Sequence, residues 1–431
     1  MKVDLNDQKI WSDIAVAYEK AVIKTTFYQK MMKDLMDNLT GKKRILDLGC
    51  GVGYLVNELM KQDPERVIVG VDANKYMLDI ARETVIEERF LKNVTLVHGD
   101  AVTYVNEDKF DAVVSSNLMF NLKDPFAFLD NTYDNLKHGG RLVLTSAKRN
   151  PDLKIMIQSM REEFARDGRL EELKKHVGVA ESVNANFVGE MKTFDNKEIE
   201  DVLLNFIGYK KVVNNFSTYL DQNFVVAAEM PSHDGEIIYK NANSKERESA
   251  FRLRYHILQE RYDFIPKNPE RKEKIMHDDH ATHFVAVDSA TGRVVGCLFY
   301  LEYKNGIGFP AEKEVNINSF VEKHEKLATP GRWYVLPTYR HRGVGKKLFE
   351  LYFKTCERKK ITGTVFSINP ENESFFDKLG AMKVGGPRND YKEFHRPAPS
   401  QPVYIDMTNG IPAYFKSPAD NRKNKTFNLN L

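Results

Sequence analysis

Cysteine and tryptophan are scarce in this chain, with three and two residues in 431. Cys50, Cys297 and Cys356 are scattered and odd in number, which excludes a disulfide framework and the paired spacing of a zinc site. No apolar run approaches the roughly 20 residues that a membrane-spanning helix needs. Met1 to Gln8 is polar with alternating charge, without the apolar core of a secretory leader. An excess of one charge is also missing. The 64 Lys and Arg against 61 Asp and Glu leave a formal +3, too little to point to nucleic acid or another polyanion. The basic cluster Asn421 to Lys425 reads as a solvated end, with contact to anionic lipid as the competing reading. These absences together give the expectation of a reduced, cytoplasmic protein with no transmembrane segment and no metal site.

What is present is a succession of apolar strands and amphipathic helices. At roughly 100–200 residues per domain the length allows two or three domains. Asn6 to Leu39 carries helical periodicity (Ile14, Ala15 and Tyr18, then Phe27, Met31 and Leu35), and Gly41 ends it. Strands are then expected at 44–48, 66–72, 94–98, 110–115 and 141–145, with helices between them. That βαβ order predicts a doubly wound parallel sheet. Pro151 to His176 reads as one charged helical stretch. Lys210–Ser217 and Asn223–Glu229 are too close for a helical crossover, so they are expected as an antiparallel pair on the same sheet. Pro231 to Gly235 is the expected linker, short and rich in turn formers. The domains expected are residues 1–230, a linker 231–235, a second domain 236–410 and a tail 411–431.

Two glycine loops carry the chemistry. In the first, Asp47-Leu-Gly-Cys-Gly-Val-Gly53, glycine lets backbone amides approach a cofactor. Asp72 ends the next strand, where a carboxylate can accept ribose hydroxyls, and Asp100 closes the third, placed to accept from an adenine amino group. Ser115, Ser116 and Asn117 follow the fourth strand, again at a strand's C-terminal end, where such sheets bind ligands. Asp47, directly before the glycines, repels a pyrophosphate but suits a cofactor bearing an amine.

With the run Leu136 to Leu144 and the antiparallel pair, these elements make Trp11 to Ser217 resemble class I S-adenosyl-L-methionine-dependent methyltransferases. The nearest likeness is to the small-molecule branch of the quinone-biosynthesis enzymes. That resemblance implies a Rossmann-like seven-stranded domain in which Gly49, Gly51, Asp72, Ala73, Asp100 and Ala101 touch S-adenosylmethionine. Tyr18 resembles the capping tyrosine of that branch. With Asp47 and Asn117 these are the candidate cofactor residues. No residue stands out as a catalytic base, and His98 and Tyr133 read as structural.

The second loop, Arg340-His-Arg-Gly-Val-Gly345, follows the strand-like Trp333 to Leu336 and opens an amphipathic helix. Its amides and the helix N-terminus are placed to bind a pyrophosphate. The loop resembles the coenzyme A loop of GNAT acyltransferases, and Asn369 to Gly380 resembles their fourth motif. Phe251 to His256, Asp278-Asp-His280, Phe309 to Glu312, Gly386-Pro387 and the Tyr391–Pro397 run add a further likeness to acyl-homoserine-lactone and N-acyl amino acid synthases. The resemblance implies an α+β domain using acyl-CoA or an acyl carrier protein thioester. Val335, Arg340, Arg342, Gly343, Val344 and Gly345 would contact that donor. Phe376 stands where the family's tyrosine proton donor would align, so Tyr352 is the substitute candidate. An amine must be neutral to attack a thioester, and Glu312 and then Glu314 are the candidate bases. Arg254 is read as either a substrate-carboxylate contact or an ion-pair partner.

The expected function is thus a bifunctional transferase. It would methylate a small molecule and acylate an amine or amino-acid-like acceptor, with acyl carrier protein as a candidate partner. The competing reading keeps one domain catalytic, the methyltransferase, and makes the other a cofactor-sensing or scaffold module.

Overall fold

In the computed structural model, residues 8–187, 192–387 and 399–415 are described. The expected Tyr391–Pro397 run and the basic tail lie outside them. The chain divides into two compact units between Asp234 and Gly235.

The first unit opens with α1 (Gln8–Lys20) and α2 (Thr26–Asp37), then alternates β1 (Arg44–Leu48), α3 (Tyr54–Gln62), β2 (Val67–Asp72), α4 (Lys75–Ile80), β3 (Val94–His98), β4 (Phe110–Ser116), α5 (Pro125–Asp134) and β5 (Leu136–Ala147). Helices α6 (Leu153–Arg166), α7 (Leu170–Phe187) and α8 (Asn196–Val202) precede β6 (Lys211–Thr218) and β7 (Asn223–Glu229). The strand order is β3-β2-β1-β4-β5-β7-β6. The first five strands are parallel, and β7 and β6 join antiparallel at one edge, as the short connection between them requires.

Two expected helices are broken. Asn6 to Leu39 divides at Thr25, whose backbone is extended and whose hydroxyl accepts from the Tyr28 amide while donating to Val22 O. Glu163 on α6 completes that helix start, accepting from the Thr26 amide at 2.9 Å and from its hydroxyl at 2.9 Å. A buried carboxylate at a helix N-terminus is favoured by the macrodipole. The stretch 151–176 breaks at Gly168, which takes a left-handed φ of 70° that other residues resist.

The second unit runs β8 (Ile237–Asn241), α9 (Ser244–Tyr255), β9 (Thr282–Asp288), β10 (Arg293–Glu302), α10 (Asn318–Lys323), β11 (Leu327–Val335), α11 (Val344–Arg358), β12 (Gly363–Ile368), α12 (Glu373–Asp377), β13 (Met382–Lys383) and β14 (Gln401–Asp406). Its sheet order is β13-β14-β12-β11-β10-β9-β8. It is antiparallel throughout except where β11 meets β12. Those two parallel strands share only the pairs Leu327↔Gly363 and Ala328↔Thr364 and then diverge. The divergence splits the sheet into two wings. Helix α11 packs on β10 where Gly296 lacks a side chain, since a Cβ there would meet Val344 and Leu348 at 3.2 Å.

Candidate functional site

The first glycine loop leaves β1 and is tied to β2. The Gly49 and Cys50 amides both donate to Val71 O, and the Gly51 amide donates to Asp72 Oδ2 at 2.9 Å. Asp72 Oδ1 accepts from the Asn74 amide at 2.8 Å, so one carboxylate anchors the loops at both strand ends. Gly49, Gly51 and Gly53 all have positive φ. A Cβ on Gly49 would strike Leu118 at 2.8 Å, whereas one on Gly51 would meet nothing within 4 Å and would fill open space.

The loop after β3 is held from α5, where the buried Asn131 amide group donates to Ala101 O at 2.8 Å and Tyr104 O at 2.9 Å. Ser115 ties β4 to β1 through Leu48 O at 2.7 Å, which fixes the neighbouring Asn117 at the mouth of the sheet.

These strand ends enclose a cavity of about 430 Å3, within the usual range for a small-molecule site. Tyr18, Asp47, Gly49, Gly51, Asp72, Ala73, Asp100, Ala101 and Asn117, every candidate from the first loop, line it together. Tyr28, Tyr54, Leu118 and Asn121 line it as well, and sequence reasoning missed them. Tyr28 and Met32 form an i, i+4 pair on α2, and that spacing was the available signal. Tyr28 packs edge-on against Tyr18 and Tyr54.

Asp47 is 1% exposed, and its Oδ1 has no hydrogen-bond partner. Burial, with the nearby Asp72 carboxylate, pushes its pKa up to about 8. Burial also raises Asp72, against the pull of the Asn74 and Gly51 amides. Tyr18 is pushed up to about 12 by burial. A cavity with an unpaired carboxylate oxygen, a second carboxylate at the adjacent strand end and an open glycine wall fits a ligand bearing an ammonium group and a ribose. His98 bonds Ala73 O through Nε2 at 3.0 Å, and Tyr133 packs on Tyr209, so both have structural contacts.

In the second unit the diverging strands enclose about 270 Å3. Pro330 to Tyr334 of β11 and Phe366 to Asn369 line the two sides, with Phe349, Phe376 and Ser400 completing the wall. Trp333 Nε1 and Ser367 Oγ are buried there without partners.

The loop candidates lie beyond this lining. Arg340 Nε donates to Val335 O at 3.4 Å, Arg342 sits over the Tyr339 ring, Gly343 caps α11 with φ 80°, and Val344 is buried. Gly345 connects loop and cavity, because its Cα lies against the Trp333 indole, where a Cβ would come within 2.6 Å of Cζ2.

Tyr352 is not brought to the cavity. It is fully buried, and its hydroxyl bonds Thr364 Oγ1 at 2.7 Å. Glu312 is exposed and bonds the Phe309 amide at 2.6 Å, capping its own turn. Glu314 reaches the cavity wall, accepting from the Ser400 hydroxyl at 2.5 Å. Arg254 is 1% exposed and saturated by two carboxylates. Nε donates to Glu273 at 2.5 Å, and the two Nη atoms grip Asp278 at 2.8 and 2.6 Å. Of its two readings, the geometry matches the ion pair.

Comparison with known proteins assigns a domain to each unit. Residues 39–206 match a methyltransferase domain family, and residues 249–399 match the N-acyl amino acid synthase FeeM family. A malonyl-[acyl-carrier protein] O-methyltransferase of Priestia megaterium is 26% identical over 141 residues, covering 32% of this chain and 50% of the relative. A demethylmenaquinone methyltransferase of Lactobacillus johnsonii is 34% identical over 114 residues, covering 26% and 47%. The chain spans about half the length of the curated relatives it matches. Among solved structures, FeeM, an N-acyl amino acid synthase from uncultured soil microbes, aligns at 17% identity and a TM-score of 0.33, covering 40% of this chain and 91% of its own. One chain thus matches a methyltransferase domain model in its first unit and an N-acyl amino acid synthase model in its second.

Proposed function

We propose that the chain is a two-site transferase. The first site methylates a small molecule from S-adenosylmethionine, and the second moves an acyl group from a thioester to an amine or amino-acid-like acceptor. The observation that carries the first half is the meeting of Asp47, Asp72, Asp100 and the glycine loop in one cavity. In this reading the unpaired Asp47 carboxylate receives the cofactor's ammonium group, Asp72 the ribose, and the loop after β3 the adenine. S-adenosylmethionine supplies an electrophilic methyl group when bound there. The chain's own residues bind and orient, which can account for much of such a reaction.

For the second half, the split between β11 and β12 gives a slot with apolar walls for an acyl thioester. The Arg340–Gly345 loop, basic and leading into the N-terminus of α11, suits the donor's phosphates. Both acyl-CoA and an acyl carrier protein thioester satisfy that chemistry, and the malonyl-[acyl-carrier protein] relatives favour trying the carrier protein.

Incubating the full chain with methyl-labelled S-adenosylmethionine, or with acyl thioesters on both carriers, against an amine and amino-acid panel tests both halves. Labelled product is expected from each. Absence of product together with absence of cofactor binding would refute the corresponding half. A second reading, in which the acyltransferase half only senses its ligand, draws on Phe376, an apolar ring in the cavity wall. Under that reading Gly343→Val would leave all product formation unchanged.

A further inference from the structure

We propose that Ser400 and Glu314 form a proton relay serving the second cavity, a deeper statement that rests on the acyltransferase reading above. Ser400 is 7% exposed, lines the cavity, and donates its hydroxyl hydrogen to Glu314 Oε2 at 2.5 Å. The oxygen's lone pairs remain for a donor arriving in the cavity. Behind it, Glu314 Oε1 is buried with no partner. Among the described residues the Ser400 hydroxyl is the only side chain hydrogen-bonded to this carboxylate. No ion pair with a cation holds it among those residues.

Two further polar atoms of the same wall, Trp333 Nε1 and Ser367 Oγ, are also buried without partners. Glu312 cannot substitute for Glu314, because its carboxylate closes on the Phe309 amide.

The lone pair of a neutral amine attacks the thioester carbonyl carbon; the C–N bond forms and the C–S bond breaks. The nitrogen's proton passes to Ser400 Oγ while the Ser400 proton passes to Glu314. The same hydroxyl then protonates the departing thiolate while Glu314 gives its proton back to Ser400 Oγ, giving amide, free thiol and the starting pair. The return leg supplies the proton that Phe376 cannot. Relay and proton donor become one pair of residues, and no tyrosine is required.

The test compares two nucleophiles on the full chain. The acyl donor is myristoyl-coenzyme A or the same acyl group on acyl carrier protein. The acceptors are the common amino acids and, separately, hydroxylamine, which is neutral and strongly nucleophilic without a base. Ser400→Ala and Glu314→Gln should lower turnover with the amino acid by about 10²–10⁴-fold. Hydroxylamine turnover should fall by a smaller factor, since its weakly basic nitrogen gives up its proton readily while the departing thiolate still needs the returned one, and Ser400→Thr should recover part of the loss. Wild-type turnover on amino acids that both variants retain would overturn the relay while leaving the acyltransferase reading intact. Equal losses with both nucleophiles, accompanied by a lowered unfolding temperature, would also overturn it, since they mark a structural role. No wild-type turnover with either nucleophile would overturn the acyltransferase reading and the relay with it.

Discussion

Asp47 should make cofactor binding weaken as pH falls. Its carboxyl titrates near about 8 in the ligand-free fold, because burial and Asp72 oppose its charge. A ligand ammonium beside it favours the charged form, so binding below that pH must expel a proton. Each unit below the folded pKa then costs ~1.4 kcal/mol, or tenfold in affinity. From about pH 8, where the carboxyl is already half protonated, to about pH 6 the binding of S-adenosylhomocysteine should weaken roughly fiftyfold, ~2.3 kcal/mol. Titration calorimetry in two buffers of different ionisation enthalpy should count close to one proton released per ligand at the acid end. Asp47→Asn keeps the shape and removes the titration, so its profile should be nearly flat and subtracts the ligand's own ionisation.

The same shift has a stability side. The folded pKa lies above the unfolded value of ~3.9, so the penalty falls on the ionised form. The ligand-free fold should lose stability as pH rises from ~4 toward about 8, and cofactor should offset that loss. A wild-type affinity independent of pH, or a slope unchanged in Asp47→Asn, would refute the reasoning.

Three more outcomes are expected. Tyr352→Phe removes a buried hydroxyl pair with Thr364 and should cost about 1–3 kcal/mol in urea unfolding. Acyl transfer per folded molecule should be unchanged, and a collapse of turnover would restore Tyr352 as proton donor. Gly345→Ala forces a methyl into the Trp333 indole and should cost about 1–3 kcal/mol, read as a lowered unfolding midpoint and weaker acyl-thioester binding. Arg254→Met takes the guanidinium from the buried Asp278 carboxylate and leaves Glu273 to Arg332 alone, and it should cost about 3–5 kcal/mol by chemical denaturation.

The first site was legible because its parts repeat a local grammar. Each of Asp47, Asp72, Asp100 and Asn117 lies at or just beyond the C-terminal end of an apolar strand, and parallel pairing alone brings such ends together. The helix breaks at Thr25 and Gly168 were not legible, since apolar periodicity runs on across both. Their cause is a capping hydroxyl in one case and a left-handed backbone in the other. The Glu163 cap on Thr26 joins residues 137 apart and has no local signature.

In the second unit the glycine loop could be read, but the cavity could not. It exists because β11 and β12 part after two pairs, a property of neither strand alone. Nor could composition separate Glu312 from Glu314. Two residues apart on one turn, they differ only in what their oxygens meet once the turn is folded.

Trp333 has a practical consequence. It is one of two tryptophans in the chain, it stands in the wall of the second cavity, and its ring N–H bonds nothing. Indole emission responds to hydrogen bonding and to displacement of nearby solvent. Replacing Trp11 by phenylalanine would therefore leave a single tryptophan, selectively excitable over the 19 tyrosines, whose colour and intensity track occupancy of that cavity. Ligands could then be screened by light alone, before any acceptor or acyl chain has been identified.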